Sequence, residues 1–477
     1  MLNRLARSRS QLLLVLVVLA ALGLMWLVED QPRQRSVVRA DALSVFFLLV
    51  VAAGLLLATR EERAEQPWRR VWLPLGALVV GLFTTWIPAI VAAFAALAAL
   101  LPTAAPQPLN LRWRWLAPAQ RVVFASPMLV AVACLALGYG ALVLGGTWRY
   151  DARTAGAALH GFVFWFTLLA ALVPQTRLFV ARDTLIAHPW RLAWLYPLVR
   201  LYSLGPWNAG WSFAALLLGG AAALWAAIAA LTTADDERRS RLIWLGFAAM
   251  VLASFALSTS AGMAAGCYLM LACLLLPAPV ANGEATVTPT WTLTGALPFT
   301  ATFVGVWMLV GAATAASMVA LAGVAWLVAL LGGLTWALHP RAQTQPIRLR
   351  AIISVVLGIA APAVVLLLIE PVVEQMQGGM TVYGDVNVWP WIGISALDAA
   401  KTQVAALPSV AVAGLMAVLL ALIYLVARLS NAPADNDAAP GRDAAASDTI
   451  IAWLRDEVPW LGGTHGHPAG ERPIDRE

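Results

Sequence analysis

Long apolar segments almost without charge recur along the whole sequence and constrain its fold more than any other feature. The hydrocarbon core of a bilayer is about 30 Å thick, and a helix of about 20 apolar residues crosses it. Only 12% of the 477 residues are charged and 61% are hydrophobic, whereas about 25% of the residues of a soluble domain are charged. The sequence therefore predicts an all-α, multi-pass membrane protein.

The hydrophobic pattern predicts a bundle of about 13 or 14 transmembrane helices. Segment 71–101 is too long for one crossing, and Pro88 within it is a natural place to divide it into two short spans. The predicted spans are 11–28, 42–58, 71–101 (one or two spans), 122–145, 155–173, 187–204, 211–232, 241–258, 260–278, 293–313, 315–338, 350–369 and 408–428.

The composition divides the chain into a transmembrane domain, 1–429, and a polar tail, 430–477. The tail starts with the Ala-, Asp- and Pro-rich stretch "NAPADNDAAPGRDAAASD", which has little apolar surface to bury. The later stretch "DTIIAWLRDEVPW" favours a short amphipathic segment, which contacts either lipid or a partner subunit.

The sequence contains no motif of a soluble enzyme and no metal-ligand spacing, so it predicts no metal and no cofactor. Cys134, Cys267 and Cys273 all lie in apolar runs, which favours buried thiols over disulfides. The basic residues are spread over short loops, which gives no reason to expect nucleic acid. Arginines flank the first span on both sides, so their distribution leaves the membrane orientation open.

Ionisable residues inside or beside the spans are candidates for function, because charge is costly in a bilayer. Asp41 precedes the second span, as a helix N-cap or as a functional carboxylate. Arg200, in "LYPLVRLYSL", either snorkels to the interface or forms an interior ion pair. Arg238 and Arg239 lie in a dense charged turn, which is either a solvated loop or a functional element.

Three stretches resemble one family in the same order. "ADALSVFFLLVVAAGLLLA" resembles "VDxLSxxFxLL". "YPLVRLYSL" and the charged turn after it resemble the run from "GVYLLxRL" to "DxKRxLAYSxxxxxG". "TLTGALPFTATFVGVW" is similar to "SLTGxPPxxGFxGKW". Over about residues 40–340, the sequence thus resembles the antiporter-like membrane subunits of respiratory complex I and of Mrp-type cation/proton antiporters.

The resemblance implies a subunit without its own redox cofactor, in the inner cell membrane, surrounded by lipid and other membrane subunits. Such subunits are expected to move protons along a central axis of ionisable residues on discontinuous helices. A discontinuous helix is accordingly predicted at Gly295, Pro298 and Gly305.

The sequence departs from the family pattern where ionisable residues are expected. Ile87 replaces a glutamate, an apolar residue near Leu169 replaces a lysine, and Val306 replaces a late lysine or glutamate. Arg238 takes the position of a loop lysine. We expect a modified ion path, for which the candidates are Asp41, His160, Asp183, Arg200, Arg238 and Arg239.

Two further hypotheses compete with an ion-translocating subunit. The missing lysine and glutamate residues are equally compatible with a non-translocating scaffold subunit. Glu29 and Asp30 suggest a polytopic lipid-linked glycosyltransferase, although segment 29–41 is short for a loop that binds a sugar donor.

Overall fold

The computed structural model describes residues 2–28, 33–35, 38–61, 71–101, 127–149, 161–176, 187–205, 207–233, 236–276, 297–338, 349–376, 393–397 and 403–430. His160, Asp183, Gly295, Glu29, Asp30 and the tail after Ser430 lie outside these ranges. The predictions that concern them therefore stay predictions.

The described part of the chain is built mainly of α-helices. In chain order they are α1 (Leu2–Val28), α2 (Ala42–Glu61), α3 (Leu73–Phe83), α4 (Ile87–Leu100), α5 (Pro127–Leu144), α6 (Gly161–Leu172), α7 (Ala187–Ala193), α8 (Tyr196–Arg200), α9 (Ala209–Thr232), α10 (Asp236–Ala256), α11 (Ser260–Leu275), α12 (Ala301–Ala315), α13 (Val319–Leu338), α14 (Leu349–Ile359), α15 (Ala361–Val364), α16 (Glu370–Met376) and α17 (Val410–Ser430). Two small antiparallel hairpins accompany them: β1 (Arg33–Arg35) with β2 (Val38–Ala40), and β3 (Gly393–Leu397) with β4 (Gln403–Pro408).

The prediction of an all-α, multi-pass membrane protein is confirmed, but many of the predicted spans are short or broken. By length and composition, five described helices could cross a membrane, or six if one bent pair counts as a single span. The apolar helices α3, α4, α6, α11 and α12 have only 11 to 16 residues, whereas α13 and α17 have 20 and 21. Several of the predicted crossings therefore correspond to helices shorter than a full span.

Contacts between helix termini define the two ends of the bundle. At one end the side chain of Gln375 bridges Val28, the last residue of α1, and Ala42, the first residue of α2. At the other end Gln11 donates to the carbonyl of Thr59, near the end of α2. We call these the Asp41 end and the Arg60 end.

The direction of α10 follows from its neighbours. Leu274, near the end of α11, lies against Gly54 in the second half of α2, so α11 ends near the Arg60 end. A three-residue turn, 257–259, joins α10 to α11. α10 therefore begins at the Arg60 end.

The break predicted at Pro88 is present, although it begins before the proline. α3 ends at Phe83, and the extended residues Thr84–Trp86 separate it from α4, which carries the proline in its first turn. Thr84 forms a β-bridge with Val38, and Trp86 forms another with Arg149. The break therefore lies at the Asp41 end, beside β2.

Two predictions about continuity are wrong. Segment 350–369 was expected to be one span, but its helix bends by 80° between Ile359 and Ala361. Pro362 explains the bend, because proline has no N–H to donate to the preceding turn of a continuous helix. The hydroxyl of Tyr268 donates to the carbonyl of Leu357 (2.8 Å) and so satisfies an acceptor near the bend. Segment 187–204 is likewise divided, by the turn at Trp194 and Leu195 between α7 and α8.

Candidate functional site: a buried ion pair and a buried histidine

Asp41 caps the helix that forms one wall of the site. Its main-chain carbonyl accepts from the amide of Val45 (3.1 Å), and its Oδ1 accepts from the amide of Ser44 (2.9 Å). The bond from Val45 is the first main-chain bond of α2, and the amide of Ser44 belongs to the first turn, where amides have no main-chain acceptor within the helix. The N-cap interpretation of Asp41 is thus confirmed.

The same carboxylate also forms a buried ion pair. Arg200, the last residue of α8, places Nη1 2.5 Å from Asp41 Oδ2, and Nε of Arg39 lies 3.1 Å from the same oxygen. The side chains of Asp41 and Arg200 are 0% and 1% exposed, and that of Arg39 is 11% exposed. Of the two alternatives for Arg200, the structure shows the interior ion pair.

A pair of hydroxyls connects this ion pair to the broken helix α3. Ser44 Oγ and Tyr196 Oη each lie within hydrogen-bonding distance of the carbonyl oxygen of Leu82, at 2.7 and 2.9 Å. This carbonyl has no donor within its helix, because the helix ends at Phe83. The guanidinium of Arg200 lies 5.8 Å from the centre of the Tyr196 ring, a cation–π distance.

Gln375 holds the start of α2 from a distant part of the sequence. Its Oε1 accepts from the amide of Ala42 (2.7 Å), and its Nε2 donates to the carbonyl of Val28 (2.7 Å). This residue was not among the sequence candidates, because nothing local in α16 indicates a contact with a helix more than 300 positions earlier. It fixes the residue next to Asp41.

The electrostatics of this site keep its charges fixed. Burial alone would raise the pKa of Asp41, but the charges of Arg200 and Arg39 and the hydrogen bonds from Ser44 hold it below its usual value. Arginine stays protonated at any physiological pH. The ion pair therefore neither takes up nor releases a proton near neutral pH.

A second polar cluster lies on α7 and was missed from the sequence. His188 is 7% exposed and Arg191 is 0% exposed, with His188 Nδ1 3.5 Å from Arg191 Nη1. The Trp244 ring of α10 is 5.0 Å from the His188 ring and 5.7 Å from the Arg191 guanidinium carbon. The ionisable residues that recur within the apolar segment 187–204 were the feature of the sequence from which this cluster could have been predicted.

His188 borders a small cavity. Its Nε2 has no hydrogen-bond partner within the described ranges. The cavity, of about 10 Å³, is lined by His188, Cys273 and Arg350 among others, a volume close to the minimum for one water molecule. Arg350 donates from Nη1 to the carbonyls of Leu274 and Leu276, which also line the cavity, at 3.1 and 2.7 Å.

The predicted discontinuity before α12 is present at Pro298. The turn Leu297–Thr300 contains Phe299 with φ +66°, and Thr300 then caps α12 by accepting from the amide of Phe303 (3.2 Å). Ser354 on α14 accepts from the amide of Ala301 (3.2 Å). The first turn of α12 thus finds its acceptors in the protein.

Gly305 was predicted to contribute to this break, and this prediction is wrong. α12 is continuous from Ala301 to Ala315. A Cβ at Gly305 would lie 2.8 Å from Cδ2 of Leu269, so glycine there permits the close approach of α11. Gly305 therefore permits close helix packing and does not change the direction of the backbone.

The two other ion-path candidates within the described ranges, Arg238 and Arg239, do not join the Asp41 site. Arg238 and Arg239 lie in the first turn of α10, at the Arg60 end. Arg238 is exposed, whereas Arg239 is 4% exposed and donates from Nη2 to the carbonyl of Thr233 (2.7 Å), the C-cap of α9. Arg238 and Arg239 therefore lie at the opposite end of the bundle from Asp41 and Arg200.

The positions at which the resemblance implied ionisable residues are apolar or face outward. Ile87 and Val306 are 0% and 1% exposed, so apolar side chains occupy those interior positions. Leu169 is 45% exposed, and its neighbours Thr167 and Leu168 face the interior instead. The hydroxyl of Thr167 donates to the carbonyl of Val163 within its own helix (2.7 Å).

No protein-family model matches the chain, and no curated protein matches its sequence. Solved structures do match. A chain of the Mrp complex from Dietzia sp. DQ12-45-1b superposes with a TM-score of 0.59 at 15% identity, over 96% of this chain and 58% of that chain. This chain therefore spans little more than half the length of that match.

Two respiratory assemblies contain similar chains. One belongs to the membrane-bound sulfane sulfur reductase, an archaeal respiratory membrane complex, with a TM-score of 0.57 at 14% identity over 78% of this chain and 94% of that chain. The other belongs to respiratory complex I from Thermus thermophilus with bound NADH, with a TM-score of 0.58 at 17% identity over 78% and 95%. The chain therefore shares the fold of chains from these membrane complexes, which agrees with the resemblance found in its sequence.

Proposed function

We propose that the chain is a membrane subunit of a multisubunit, ion-translocating assembly of the complex I-like or Mrp-like kind, in the inner cell membrane. Its fold, shared with chains of an Mrp complex and of respiratory complexes, supports this proposal. Redox chemistry, where the assembly performs any, belongs to partner subunits.

The position of His188 is the observation that supports a role in proton movement. The two ring nitrogens of histidine can accept and donate a proton, and His188 is the one histidine among the buried residues of the described ranges. Its Nε2 borders a cavity with room for about one water molecule. The Asp41–Arg200 pair, by contrast, carries fixed charges and holds α2 against α8. We assign proton exchange to His188 and the positioning of helices to the ion pair.

A second candidate function is that of a non-translocating scaffold. The buried, apolar Ile87 and Val306 favour it, because apolar side chains cannot carry protons. In this case the ion pair would still hold the helices together, and His188 would serve only as a packing residue against Trp244.

Ion flux through the reconstituted assembly separates the two functions. The complete complex is purified with either the wild-type chain or His188→Gln, inserted into liposomes and driven by its own reaction, and protons moved per turnover are counted. Glutamine keeps a hydrogen-bonding side chain but cannot titrate. Gln175→Leu, a change in another buried polar side chain near Arg191, is the matched control.

A translocating role predicts that His188→Gln lowers proton flux severalfold with unchanged subunit content, while Gln175→Leu leaves it near the wild-type value. Equal flux for wild type and His188→Gln would favour the scaffold. If the purified chain never associates with other membrane subunits, both functions are wrong. The glycosyltransferase hypothesis stays a prediction, because Glu29 and Asp30 lie outside the described ranges.

A further inference from the structure

An apolar cleft lies between α9, α10 and α13 in the half of the bundle near the Arg60 end. Its volume is about 30 Å³, and it is open on one side. Its walls include Ala230 of α9, Leu242 and Gly246 of α10, and Gly332 of α13. Its one hydroxyl, on Thr335, donates to the carbonyl of Leu331 (2.8 Å). The cleft therefore presents hydrocarbon to whatever fills it.

Helix packing does not require glycine at position 246. A Cβ at Gly246 would meet Cβ of Ala226 at 3.6 Å, which is ordinary contact. At Gly219, where α9 and α10 touch, a Cβ would lie 2.7 Å from the carbonyl oxygen of Ala249. Glycine is thus needed at 219 but not at 246. Gly246 lies in the wall of an open, apolar cleft, which hydrocarbon from outside the chain can cover.

A cationic side chain stands at the membrane-surface end of the cleft. Arg238 is exposed, and it precedes Leu242 by four residues and Gly246 by eight, which places the three along one side of α10. Helical side chains lean towards the N-terminus, so its guanidinium extends beyond the cleft towards the interface. Arg9 and Arg60 are also exposed at this end.

We propose that this cleft binds an anionic phospholipid, with an acyl chain against Gly246 and Gly332 and the phosphate at Arg238. An acyl chain matches the apolar walls, and a guanidinium binds phosphate oxygens in bidentate geometry. Anionic lipids are concentrated at the surfaces that attract basic residues beside spans. The lipid fills the cleft that the three helices leave and bridges α10 to α13.

The thermal unfolding midpoint of the full-length chain in mild detergent tests this proposal. The probes are phosphatidylglycerol, phosphatidylcholine with the same acyl chains, and inorganic phosphate alone. We expect phosphatidylglycerol to raise the midpoint of the wild-type chain more than phosphatidylcholine does, and phosphate alone to have no effect. Arg238→Gln should weaken the apparent affinity for phosphatidylglycerol about fivefold, whereas Arg9→Gln, at the same end, should not.

Filling the cleft tests the acyl-chain part. Gly246→Leu should abolish the response to both lipids, while Gly323→Leu should respond like the wild type, since no atom lies within 4 Å of a Cβ at that exposed position of α13. A photoreactive residue at Ile243, which lines the cleft, should form lipid adducts.

The proposal is overturned if phosphatidylglycerol and phosphatidylcholine act alike on the wild type, or if phosphate alone reproduces the effect. Unchanged lipid responses in Gly246→Leu overturn it as well. Adducts of Ile243 with a neighbouring subunit, or with another segment of this chain, would show that protein fills the cleft.

Discussion

The Asp41–Arg200 pair is expected to dominate the stability of the Asp41 end, and Asp41→Asn isolates its charge. Asparagine caps helices about as well as aspartate, so the bond from the amide of Ser44 to Oδ1 (2.9 Å) can survive. What disappears is the negative charge that Arg200 and Arg39 approach at 2.5 and 3.1 Å. The variant therefore measures the ion pair and not the cap.

The magnitude follows from burial. Removing one member of a buried pair leaves an uncompensated charge and costs about 3–5 kcal/mol, and Arg200 is 1% exposed. Arg200→Leu should cost less, about 1.5–3 kcal/mol, because Arg39 still neutralises Asp41. The double variant should cost clearly less than the sum of the two single variants, since it removes both charges of the pair and leaves no buried guanidinium at position 200 without its carboxylate.

The assay is reversible unfolding in mild detergent, followed by circular dichroism for the four members of the cycle. Additivity within about 0.5 kcal/mol would show that the two side chains do not interact and would refute the pair. A loss below about 1 kcal/mol for Asp41→Asn would show that water screens the site.

The same cycle has a pH signature. Folding lowers the pKa of Asp41 from its ordinary 3.8, so the pair contributes stability above that value and the contribution is lost as the pH falls through the lower, folded-state pKa. The wild type should therefore lose stability on acidification below pH 3.8, and Asp41→Asn should lose less over the same interval. Parallel pH profiles would contradict the assignment.

Three other predictions concern neighbouring features. Gln375→Leu removes both bonds of 2.7 Å that join α1 to α2, and should lower the free energy of unfolding by about 1–3 kcal/mol; a change within about 0.5 kcal/mol would contradict the clamp. Gly358→Ala forces a Cβ onto the carbonyl oxygen of Phe299 and should cost about 1–3 kcal/mol, whereas Gly323→Ala, with no atom within 4 Å of its Cβ, should be neutral or stabilising by up to about 1 kcal/mol. Among the residues whose exposure the structure describes, exposed arginines are more numerous at the Arg60 end than at the Asp41 end, so the Arg60 end should be cytoplasmic. In intact cells an impermeant maleimide should then label Arg149→Cys but not Arg9→Cys, and the reverse pattern would invert the orientation.

Local chemistry was enough to predict several of these features. The apolar periodicity located the spans, and Asp41 could be recognised as a cap from its place before an apolar run. The break in segment 71–101 was predicted because proline lacks an amide. Each of these depends on residues within a few positions of one another, which is the range over which sequence patterns are informative.

Features that depend on distant contacts were missed or misjudged. Gly305 could be taken for a helix break because its true constraint is Leu269, on another helix. The burial of His188 and Arg191 depends on contacts with distant helices, among them α10 through Trp244. The contact of Gln375 with Ala42 joins residues 333 positions apart, and no local pattern in α16 reports it.

The two buried polar sites differ in chemistry, and this difference bears on how ions could move. A proton-transfer step can involve the ring nitrogens of His188, whereas the Asp41–Arg200 pair keeps its charges near neutral pH. The pair can act only by separating, and separation would be costly if it left both charges alone in the interior. Arg39 changes this balance, because it holds the same Oδ2 from β2. Movement of α8 could withdraw Arg200 while Asp41 stays neutralised, so an Arg39→Leu variant should make the bundle far less tolerant of Arg200→Leu.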